Sequence, residues 1–541
     1  MGLDGGTFDI IMPFIEEGVM PVMKSLIDEG VHGVLRSTFP PLTCPAWFSF
    51  STGKNPGKLG MYNFYRLERE SYKIKRFDNH DVADENELWD ILNSQGYTTG
   101  IFNNPVAYPP KTVDGFMISG FLAPSTLSNF TYPKSLKGKL DSVTGGYELD
   151  ADQGDRFSAK EVVKNCHRIL KKRTKAMKFL LEEENKDFMM LVYTGTDRMS
   201  HQLINKMYSE DESEAAWAKE EMRKFFNVLD SEIGELLEIL SKEEYTLFVM
   251  SDHGFHRRDK GFYLNQWLIN EGYLALKEPT SLLGKLGLTQ KGIASLLEKV
   301  GLKNFVRGIV PKSIEKLVPI GVIEGKGKSI LDLIQTGGVD WSKTRAVALP
   351  GGIYINTADR PEGIVKNEDY DALRSEIAEK FKNITDPRDG SDLDVEILLR
   401  EDIYSGPYVE NAPDIQFIIG GYEWGEIRNI PADGRLYDPL KTAHHDENGI
   451  FIATGQGIKQ GEKIDGASIM DLTPTILAAY GIKPPGDMDG RVLNEIFETI
   501  PEFHVDADYT ESAGVEDDSG GYTPEEEKAI EERLRGLGYV D

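Results

Sequence analysis

Cysteine is nearly absent from this chain: Cys44 and Cys166 are the only two among 541 residues. Two cysteines cannot form the disulfide framework on which small secreted proteins depend. The sequence also has no run of 18 apolar residues, and it does not begin with a charged segment followed by an apolar one. It therefore lacks the patterns of a membrane-spanning helix and of a secretory signal. From these absences we expect a soluble protein of the reducing cytoplasm.

Positive charge is also scarce, with 61 Lys and Arg against 89 Asp and Glu and a formal net charge of −28. Nucleic-acid binders neutralise phosphates with clustered basic residues, so we expect no stable nucleic-acid complex. A small anionic substrate is not excluded, because a bound metal ion can invert the local field of a site. The hydrophobic content of 40% indicates a globular protein.

Short apolar runs alternate with helical patterns along the chain, which is typical of an α/β fold with a largely parallel sheet. β-Branched and aromatic residues predict strands, and apolar residues at three- and four-residue spacing predict helices. The predicted strands are Phe188 to Thr194, Tyr245 to Met250, Gly351 to Ile355 and Ile450 to Ala453. The predicted helices are Ala159 to Glu184 and Glu212 to Leu240.

One stretch departs from the acidic character of the chain. Residues 281–330 hold nine Lys and Arg against three Glu, with apolar residues at helical spacing. We interpret residues 256–339 as an inserted helical cap on a core formed by 1–255 and 340–500. The simplest interpretation of its basic face is solvation. The alternative is that this face attracts an anionic substrate or makes a peripheral contact with an anionic membrane.

The last segment, 501–541, is acidic, with 13 Asp and Glu against three Lys and Arg. We interpret it as a solvated extension that ends in a short helix. Thr523 is suited to cap that helix, with Pro524 at its first position and Glu526 in its first turn. Gly536 is expected to end it.

Acidic residues follow the ends of several predicted strands: Asp4, Asp197 and the pair Asp252 and His253. In open α/β sheets, the loops after the strands line one crevice, so these groups are expected to converge. Carboxylates gathered in this way repel one another unless cations neutralise them. Because Asp4 is the fourth residue of the sequence, we expect a clipped first strand that holds it less firmly.

Three further histidines are possible metal ligands. His201 follows Asp197 by four residues, which places both on one face if a helix begins there. His444 and His445 come just before the last predicted strand, and the residues alone do not choose between them. A single histidine is more often a satisfied core or surface residue than a ligand, but several at strand ends favour a metal site.

The segment around Thr43 offers a nucleophile. Pro45 is suited to the first turn of a helix that extends to about Thr52, so Thr43 is expected at or just before the helix start. Free N–H groups at that end favour an alkoxide or a phosphate oxygen. Cys44 is the rival nucleophile, but no paired histidine can be inferred for it, which favours a buried structural side chain.

Taken together, these residues resemble the alkaline phosphatase superfamily, and within it the type I phosphodiesterase/nucleotide pyrophosphatase family. The similar segments extend in order over about residues 1–500. They are Gly2-Leu-Asp-Gly5, Thr38-Phe-Pro-Pro-Leu-Thr-Cys-Pro-Ala-Trp47, Gly53-Lys-Asn-Pro-Gly57, Thr196-Asp-Arg-Met-Ser-His201, Ser251-Asp-His-Gly254, Asp471-Leu-Thr-Pro-Thr-Ile476 and Asp487-Met-Asp-Gly-Arg491.

The resemblance implies a three-layer α/β sandwich with a mostly parallel central sheet, the inserted cap, and two divalent metal ions. The ions would be Zn²⁺, with Mn²⁺ or Fe as alternatives. One implied ligand set is Asp4, Thr43, Asp252 and His253. The other is Asp197, His201 and a late histidine, for which the family spacing favours His445 over His444.

The resemblance further implies a small phosphorylated substrate and hydrolysis of a phosphodiester or pyrophosphate bond through a phospho-threonine at Thr43. Asn63 or Asn104 could hold a nonbridging oxygen. A phosphomonoesterase or phosphotransferase with the same site is the first alternative, and a metal-stabilised scaffold without activity is the second. A sulfatase is not expected, because Cys44-Pro-Ala-Trp-Phe does not fit the Cys-x-Pro-x-Arg motif of that class.

Overall fold

The computed structural model describes residues 1–67, 74–76, 85–151, 157–277, 329–507 and 522–536. Elements are numbered among these residues. The strands are β1 Gly2–Leu3, β2 Val31–Arg36, β3 Tyr65–Leu67, β4 Ile74–Arg76, β5 Thr99–Asn104, β6 Gly115–Ser119, β7 Thr131–Tyr132, β8 Phe188–Tyr193, β9 Thr246–Met250, β10 Gly254–Tyr263, β11 Ala346–Leu349, β12 Gly352–Ile355, β13 Val395–Leu399, β14 Ile415–Ile419, β15 Trp424–Ile427, β16 Tyr437–Asp446, β17 Asn448–Gly455, β18 Glu462–Lys463, β19 Ala467–Ser468, β20 Ile482–Lys483 and β21 Val505–Asp506.

The α-helices are α1 Phe8–Glu16, α2 Pro21–Asp28, α3 Thr43–Thr52, α4 Pro56–Leu59, α5 Leu88–Ser94, α6 Leu136–Thr144, α7 Ala159–Glu183, α8 Gly195–Leu203, α9 Glu212–Leu240, α10 Leu264–Asn270, α11 Ile330–Gln335, α12 Asn367–Lys382, α13 Arg400–Ile403, α14 Leu472–Ala479 and α15 Pro524–Gly536. Within the described ranges, none of them is both long enough and apolar enough to cross a membrane.

A ten-stranded sheet forms the centre of the molecule, in the order β18-β2-β17-β9-β1-β8-β5-β6-β7, with β19 also paired to β2. The strands around β1 are parallel to one another: β1 pairs with β8 and β9, and β5 pairs with β8 and β6. β17 runs antiparallel to its neighbours β2 and β9. The central sheet is therefore mostly parallel, as predicted.

The strands and helices predicted from sequence patterns are confirmed, with bounds that shift by at most a few residues. Alternate side chains of the strands pack on opposite faces of the sheet. Leu191 and Tyr193 belong to one hydrophobic cluster, whereas Met190 and Val192 belong to the other. Helices α1, α2, α7 and α9 cover the first face, and α3, α5 and α14 cover the second. This arrangement is the three-layer α/β sandwich of alkaline-phosphatase-like proteins.

A third hydrophobic cluster lies outside the sandwich and draws on both sides of the predicted boundary at residue 339. It joins α10 and α12 to a four-stranded antiparallel sheet in the order β11-β12-β14-β13. Beside it, β10 pairs with β15 and β16 in a separate three-stranded sheet. The basic stretch of the predicted cap falls largely in residues 278–328, outside the described residues, so its helical cap and its membrane contact stay predictions.

The helix at the end of the chain is confirmed and packs against the core. Thr523 caps α15, since its Oγ1 accepts a hydrogen bond from the Glu526 backbone N–H at 3.3 Å, and its own backbone N–H donates to Glu526 Oε2 at 3.0 Å. Ile530 and Leu534 are fully buried in the second cluster. Arg533 donates to the backbone carbonyls of Phe121 and Ala123. Helix α15 is therefore not merely solvated, because it contributes to the hydrophobic core.

We expect Leu534→Ala to lower the free energy of unfolding by about 2–5 kcal/mol, because it removes a fully buried side chain and leaves a cavity. Chemical denaturation monitored by circular dichroism would measure the loss. Lys528→Ala, at an exposed position of the same helix, is the control and should change little. An equal, small effect of both substitutions would show that α15 does not contribute to the stability of the core.

Candidate active site

Three aspartates converge at the carboxyl edge of the central sheet. Asp4 follows β1, Asp197 lies in the first turn of α8 directly after β8, and Asp252 lies between β9 and β10. Gly2 in β1 pairs with both Val192 and Met250, so the first strand sits between its two parallel neighbours although it is short. All three carboxylates are fully buried. The convergence expected from the strand ends is present.

Strand β16 brings the late histidines to the same place. It pairs antiparallel with β10, so that His445 lies opposite Phe255 and His444 opposite His256. His445 Nε2 lies 3.2 Å from Asp197 Oδ1. His444 Nδ1 instead accepts a hydrogen bond from the backbone N–H of His445, at 2.8 Å. The structure therefore places His445, and not His444, among the carboxylates.

The converging side chains form two overlapping groups, in each of which the possible ligand atoms lie within 4.8 Å of one another. The first group is Asp197, His201 and His445, and the second is Asp4, Asp197 and His253. Asp252 adjoins the second group, with Oδ2 3.2 Å from His253 Nε2. Asp197 belongs to both groups, although the resemblance implied it as a ligand of only one of the two metal ions.

The histidine rings are oriented as metal ligands commonly are. A backbone carbonyl can only accept a hydrogen bond, so a ring nitrogen that contacts one must carry the proton. In all three rings Nδ1 makes this contact, which leaves the Nε2 lone pair facing the cluster. The contacts are His201 to Ala443 O at 3.2 Å, His253 to Gly254 O at 3.1 Å and His445 to Pro41 O at 3.1 Å.

With these tautomers, two unprotonated Nε2 atoms face each other. Nε2 of His201 and Nε2 of His445 are 3.1 Å apart. Two lone pairs at this distance repel each other unless a proton or a metal ion lies between them. Burial lowers the pKa of His201 and takes that of His445 well below its usual range, which disfavours the proton. The pair fits a metal ion better than it fits a proton.

The carboxylates show the same deficit of positive charge. Among the residues that the structure describes, neither oxygen of Asp4 and not Oδ2 of Asp252 has a hydrogen-bond partner. Burial, followed by the nearby charges of Asp252 and Asp197, raises the pKa of Asp4 well above its usual range. Buried polar atoms are almost always satisfied, so orphaned oxygens indicate a missing cation. The donor set, imidazole nitrogen with carboxylate oxygen, suits Zn²⁺, Mn²⁺ or Fe.

Arg198 supports the cluster from behind, and sequence reasoning missed it. Its guanidinium bonds Asp197 Oδ2 and donates to Asp150 Oδ2 at 3.0 and 2.7 Å. It also stacks over the ring of Phe121, 4.9 Å from the centroid. Although burial opposes ionisation, His201 and Arg198 lower the pKa of Asp197 below its usual range. Asp150 is distant in sequence and carries no motif, so no local signal could have identified this support.

Thr43 occupies the first position of α3, as expected, with Leu42 as the N-cap. Its hydroxyl oxygen lies 3.3 Å from His253 Nε2, and the residue is buried. Cys44, the rival nucleophile, points away: its sulfur lies 3.4 Å from Met61 Sδ in the second hydrophobic cluster. The threonine hydroxyl, and not the Cys44 thiol, therefore lies at the cluster, beside the N–H groups of the first helical turn.

A cleft of about 300 Å³ opens beside the cluster. His201, His444 and His445 line it where it meets the metal-binding groups. Asn63 also lines the cleft, whereas Asn104 is fully buried at the end of β5 and does not. Of the two asparagines considered from the sequence, only Asn63 is placed to touch a bound substrate. The remaining walls combine apolar side chains, among them Phe39, Leu42 and Phe417, with the charged side chains of Arg258, Glu426 and Arg428.

Comparison with known proteins gives a consistent result. No curated protein sequence matches the chain. A phosphonoacetate hydrolase from Sinorhizobium meliloti 1021, solved with phosphonoformate, shares 15% identity, with 87% of this chain and 92% of that chain covered and a TM-score of 0.51. Human ectonucleotide pyrophosphatase/phosphodiesterase 5 shares 14% identity, with 92% and 98% covered and a TM-score of 0.48.

The likeness to the phosphonoacetate hydrolase shows a shared fold alone. The sequence profile described as type I phosphodiesterase/nucleotide pyrophosphatase matches residues 1–424, which is well over half of the chain. That extent includes every aspartate of the cluster, His201, His253 and Thr43. The chain therefore belongs to the type I phosphodiesterase/nucleotide pyrophosphatase family of the alkaline phosphatase superfamily, whose enzymes hydrolyse phosphoesters.

Proposed function

We propose that this protein is a metal-dependent hydrolase that cleaves a phosphodiester or pyrophosphate bond of a small phosphorylated substrate through a covalent phospho-Thr43. One observation carries the proposal: the Thr43 hydroxyl lies at a helix start, 3.3 Å from His253 Nε2, beside buried carboxylates whose oxygens lack partners. Such an arrangement makes a hydroxyl nucleophilic only if a cation stabilises its alkoxide.

Two ligand sets fit the groups described above. Asp252 and His253, together with Asp4 and Thr43, would hold one ion. Asp197, His201 and His445 would hold the other. When bound, divalent ions supply Lewis acidity that lowers the pKa of a coordinated hydroxyl and neutralises charge on a leaving oxygen. Zn²⁺ is our first choice from the imidazole-rich second set, with Mn²⁺ and Fe as alternatives.

The residues of the chain then act in two steps. Thr43 Oγ1 forms a bond to phosphorus while the bond to the leaving oxygen breaks on the opposite side. The N–H groups in the first turn of α3 and the amide of Asn63 hold a nonbridging oxygen. Water next attacks the phospho-threonine, releases the product and restores the hydroxyl. Each displacement inverts phosphorus, so the overall reaction proceeds with retention.

The cleft favours a diester over a monoester. A diester has a second organic group beside the scissile bond, and the apolar walls formed by Phe39, Leu42 and Phe417 offer room for one. A phosphomonoesterase or phosphotransferase with the same site remains the alternative function. Such an enzyme would use the cleft only to admit water or an acceptor molecule.

The test is hydrolysis of bis-p-nitrophenyl phosphate beside p-nitrophenyl phosphate by metal-stripped protein, before and after addition of Zn²⁺, Mn²⁺ or Mg²⁺. We expect turnover only with metal and a higher kcat/KM for the diester. A preference for the monoester would favour the alternative function. Absence of turnover with every metal would contradict the proposal.

A further inference from the structure

Two arginines, Arg258 and Arg428, line the cleft beside the histidine and carboxylate groups, and within the described part of the chain only Arg428 forms an ion pair there, with Glu426 at 2.6 Å. Arg258 belongs to β10 and lies opposite Thr442 of β16. Its Nη2 donates to the backbone carbonyl of His445 at 3.3 Å, so the guanidinium rests against the strand that carries a proposed metal ligand. The side chain lines the cleft, together with Trp424 and Leu440.

The guanidinium of Arg258 has no ion-pair partner among the residues that the structure describes. Its Nε–H group is buried and has no hydrogen-bond partner, and no carboxylate of the described residues forms an ion pair with it. Glu426, which lines the same wall, is engaged by Arg428 at 2.6 Å. In a chain of net charge −28, a cation at a cleft without an ion-pair partner is unusual.

Arg257, the residue before Arg258, has an ion-pair partner. Arg257 forms an ion pair with Asp259, at 2.7 Å, and stacks on Tyr208 with 4.7 Å to the ring centroid. Its side chain does not line the cleft. The two arginines are neighbours on one strand, so their side chains leave it on opposite sides. Of the two, only Arg258 lines the cleft, and it has no ion-pair partner among the described residues.

The surroundings of Arg258 keep space for this side chain. Gly425 lies against it, and a Cβ atom at that position would approach Arg258 Cδ to 3.3 Å and Leu440 Cδ1 to 2.7 Å. A larger residue at 425 would therefore push the guanidinium or the opposite wall. The backbone of β15 thus allows the cation to lie at the cleft surface, where a ligand can reach it.

We propose that Arg258 forms an anion subsite of the cleft, which binds a second phosphoryl or carboxylate group of the substrate beside the scissile phosphate. The proposal rests on the proposed function and narrows its substrate class. The preferred substrates carry two adjacent anionic groups, as in a pyrophosphate-linked compound. The planar donor fork of arginine matches both oxygen-rich groups. The apolar walls around Trp424 and Leu440 take the organic remainder.

Binding of three nonhydrolysable probes to the metal-loaded protein tests the subsite by calorimetry. Methylphosphonate has a single anionic group. Methylenediphosphonate has a phosphonate as its second anionic group, and 3-phosphonopropionate has a carboxylate as its second anionic group. We expect at least one of the two probes with a second anionic group to bind more tightly than methylphosphonate. In Arg258→Met this advantage should fall about tenfold or more, because a charge-assisted hydrogen bond is lost. The probe that gains more distinguishes a phosphoryl from a carboxylate partner.

Arg257→Met is the matched control and should leave the advantage unchanged, since Arg257 does not line the cleft. Arg258→Lys keeps the charge without the planar fork, and we expect an intermediate advantage. Arg258→Lys also provides the test of the subsite if Arg258→Met fails to fold. Equal binding of all three probes to the wild type, or an unchanged advantage in both Arg258 variants, would overturn the subsite. Metal-dependent hydrolysis of bis-p-nitrophenyl phosphate in the same preparations would show that the proposed function itself still holds.

Discussion

Replacing Thr43 by alanine should abolish turnover of bis-p-nitrophenyl phosphate, with kcat lower by roughly 10³-fold or more. The substitution removes the only hydroxyl that lies against His253 Nε2 in the described site, at 3.3 Å. Cys44 cannot take its place, because its sulfur lies against Met61 Sδ at 3.4 Å. Steady-state kinetics with the metal-loaded protein would measure the loss.

Two further variants make the result specific. Thr43→Ser keeps the hydroxyl and should retain measurable turnover, whereas Cys44→Ser should behave like the wild type. Rapid acid quench followed by peptide mass spectrometry should find phosphate on the peptide that contains Thr43. The covalent mechanism would be wrong if Thr43→Ala kept its activity, or if the phosphate were found on another residue.

We expect Asp4→Asn to have opposite effects on metal binding and on stability. In the metal-free protein, Asp4 is a buried carboxylate with neither oxygen satisfied, and the charges of Asp252 and Asp197 oppose its ionisation. Replacing it with a neutral amide should raise the free energy of unfolding by about 1–3 kcal/mol. With metal present, the same change removes a charged ligand, so the affinity for the metal should fall by at least about tenfold.

Denaturation with a chelator present, beside calorimetric titration with Zn²⁺, would measure both effects. Asp230→Asn is the matched control, because the Asp230 carboxylate already accepts two backbone N–H groups, from Val22 at 3.0 Å and Met23 at 2.8 Å. We expect it to lower stability and to leave metal affinity unchanged. If Asp4→Asn destabilised the metal-free protein as Asp230→Asn does, Asp4 would be a structural acid and not a ligand.

Much of the architecture could be predicted because its signals are local. Helix α9 has the predicted bounds, Glu212 to Leu240, since apolar residues recur at helical spacing over its whole length. The strand Phe188–Tyr193 ends within one residue of the prediction. The convergence of Asp4, Asp197 and Asp252 was also predictable, because parallel strands in one sheet end at one edge. The first strand is short, as expected, yet its pairing with both neighbours holds Asp4 among the other carboxylates.

Features that depend on pairing between distant segments were not predictable. Arg198 contacts Asp150 only because α8 packs beside the loop that precedes α7. The two asparagines have equal standing in the sequence, but only Asn63 lines the cleft. Arg257 and Arg258 are identical residues in sequence. The face of β10 from which each side chain extends decides that Arg258 reaches the cleft and Arg257 does not.

The sequence by itself determined the order of strands and helices, the buried faces and the residue types at the strand ends. Those properties follow from periodicity and from the chemistry of each side chain, which act over a few residues. The family resemblance had already favoured His445 over His444, but the tertiary structure alone decided that three histidines present Nε2 to the cluster and that Arg258 lies at the cleft without an ion-pair partner in the described ranges. The register between β10 and β16 and the backbone carbonyls that orient each ring come from segments hundreds of residues apart, and only folding brings them together.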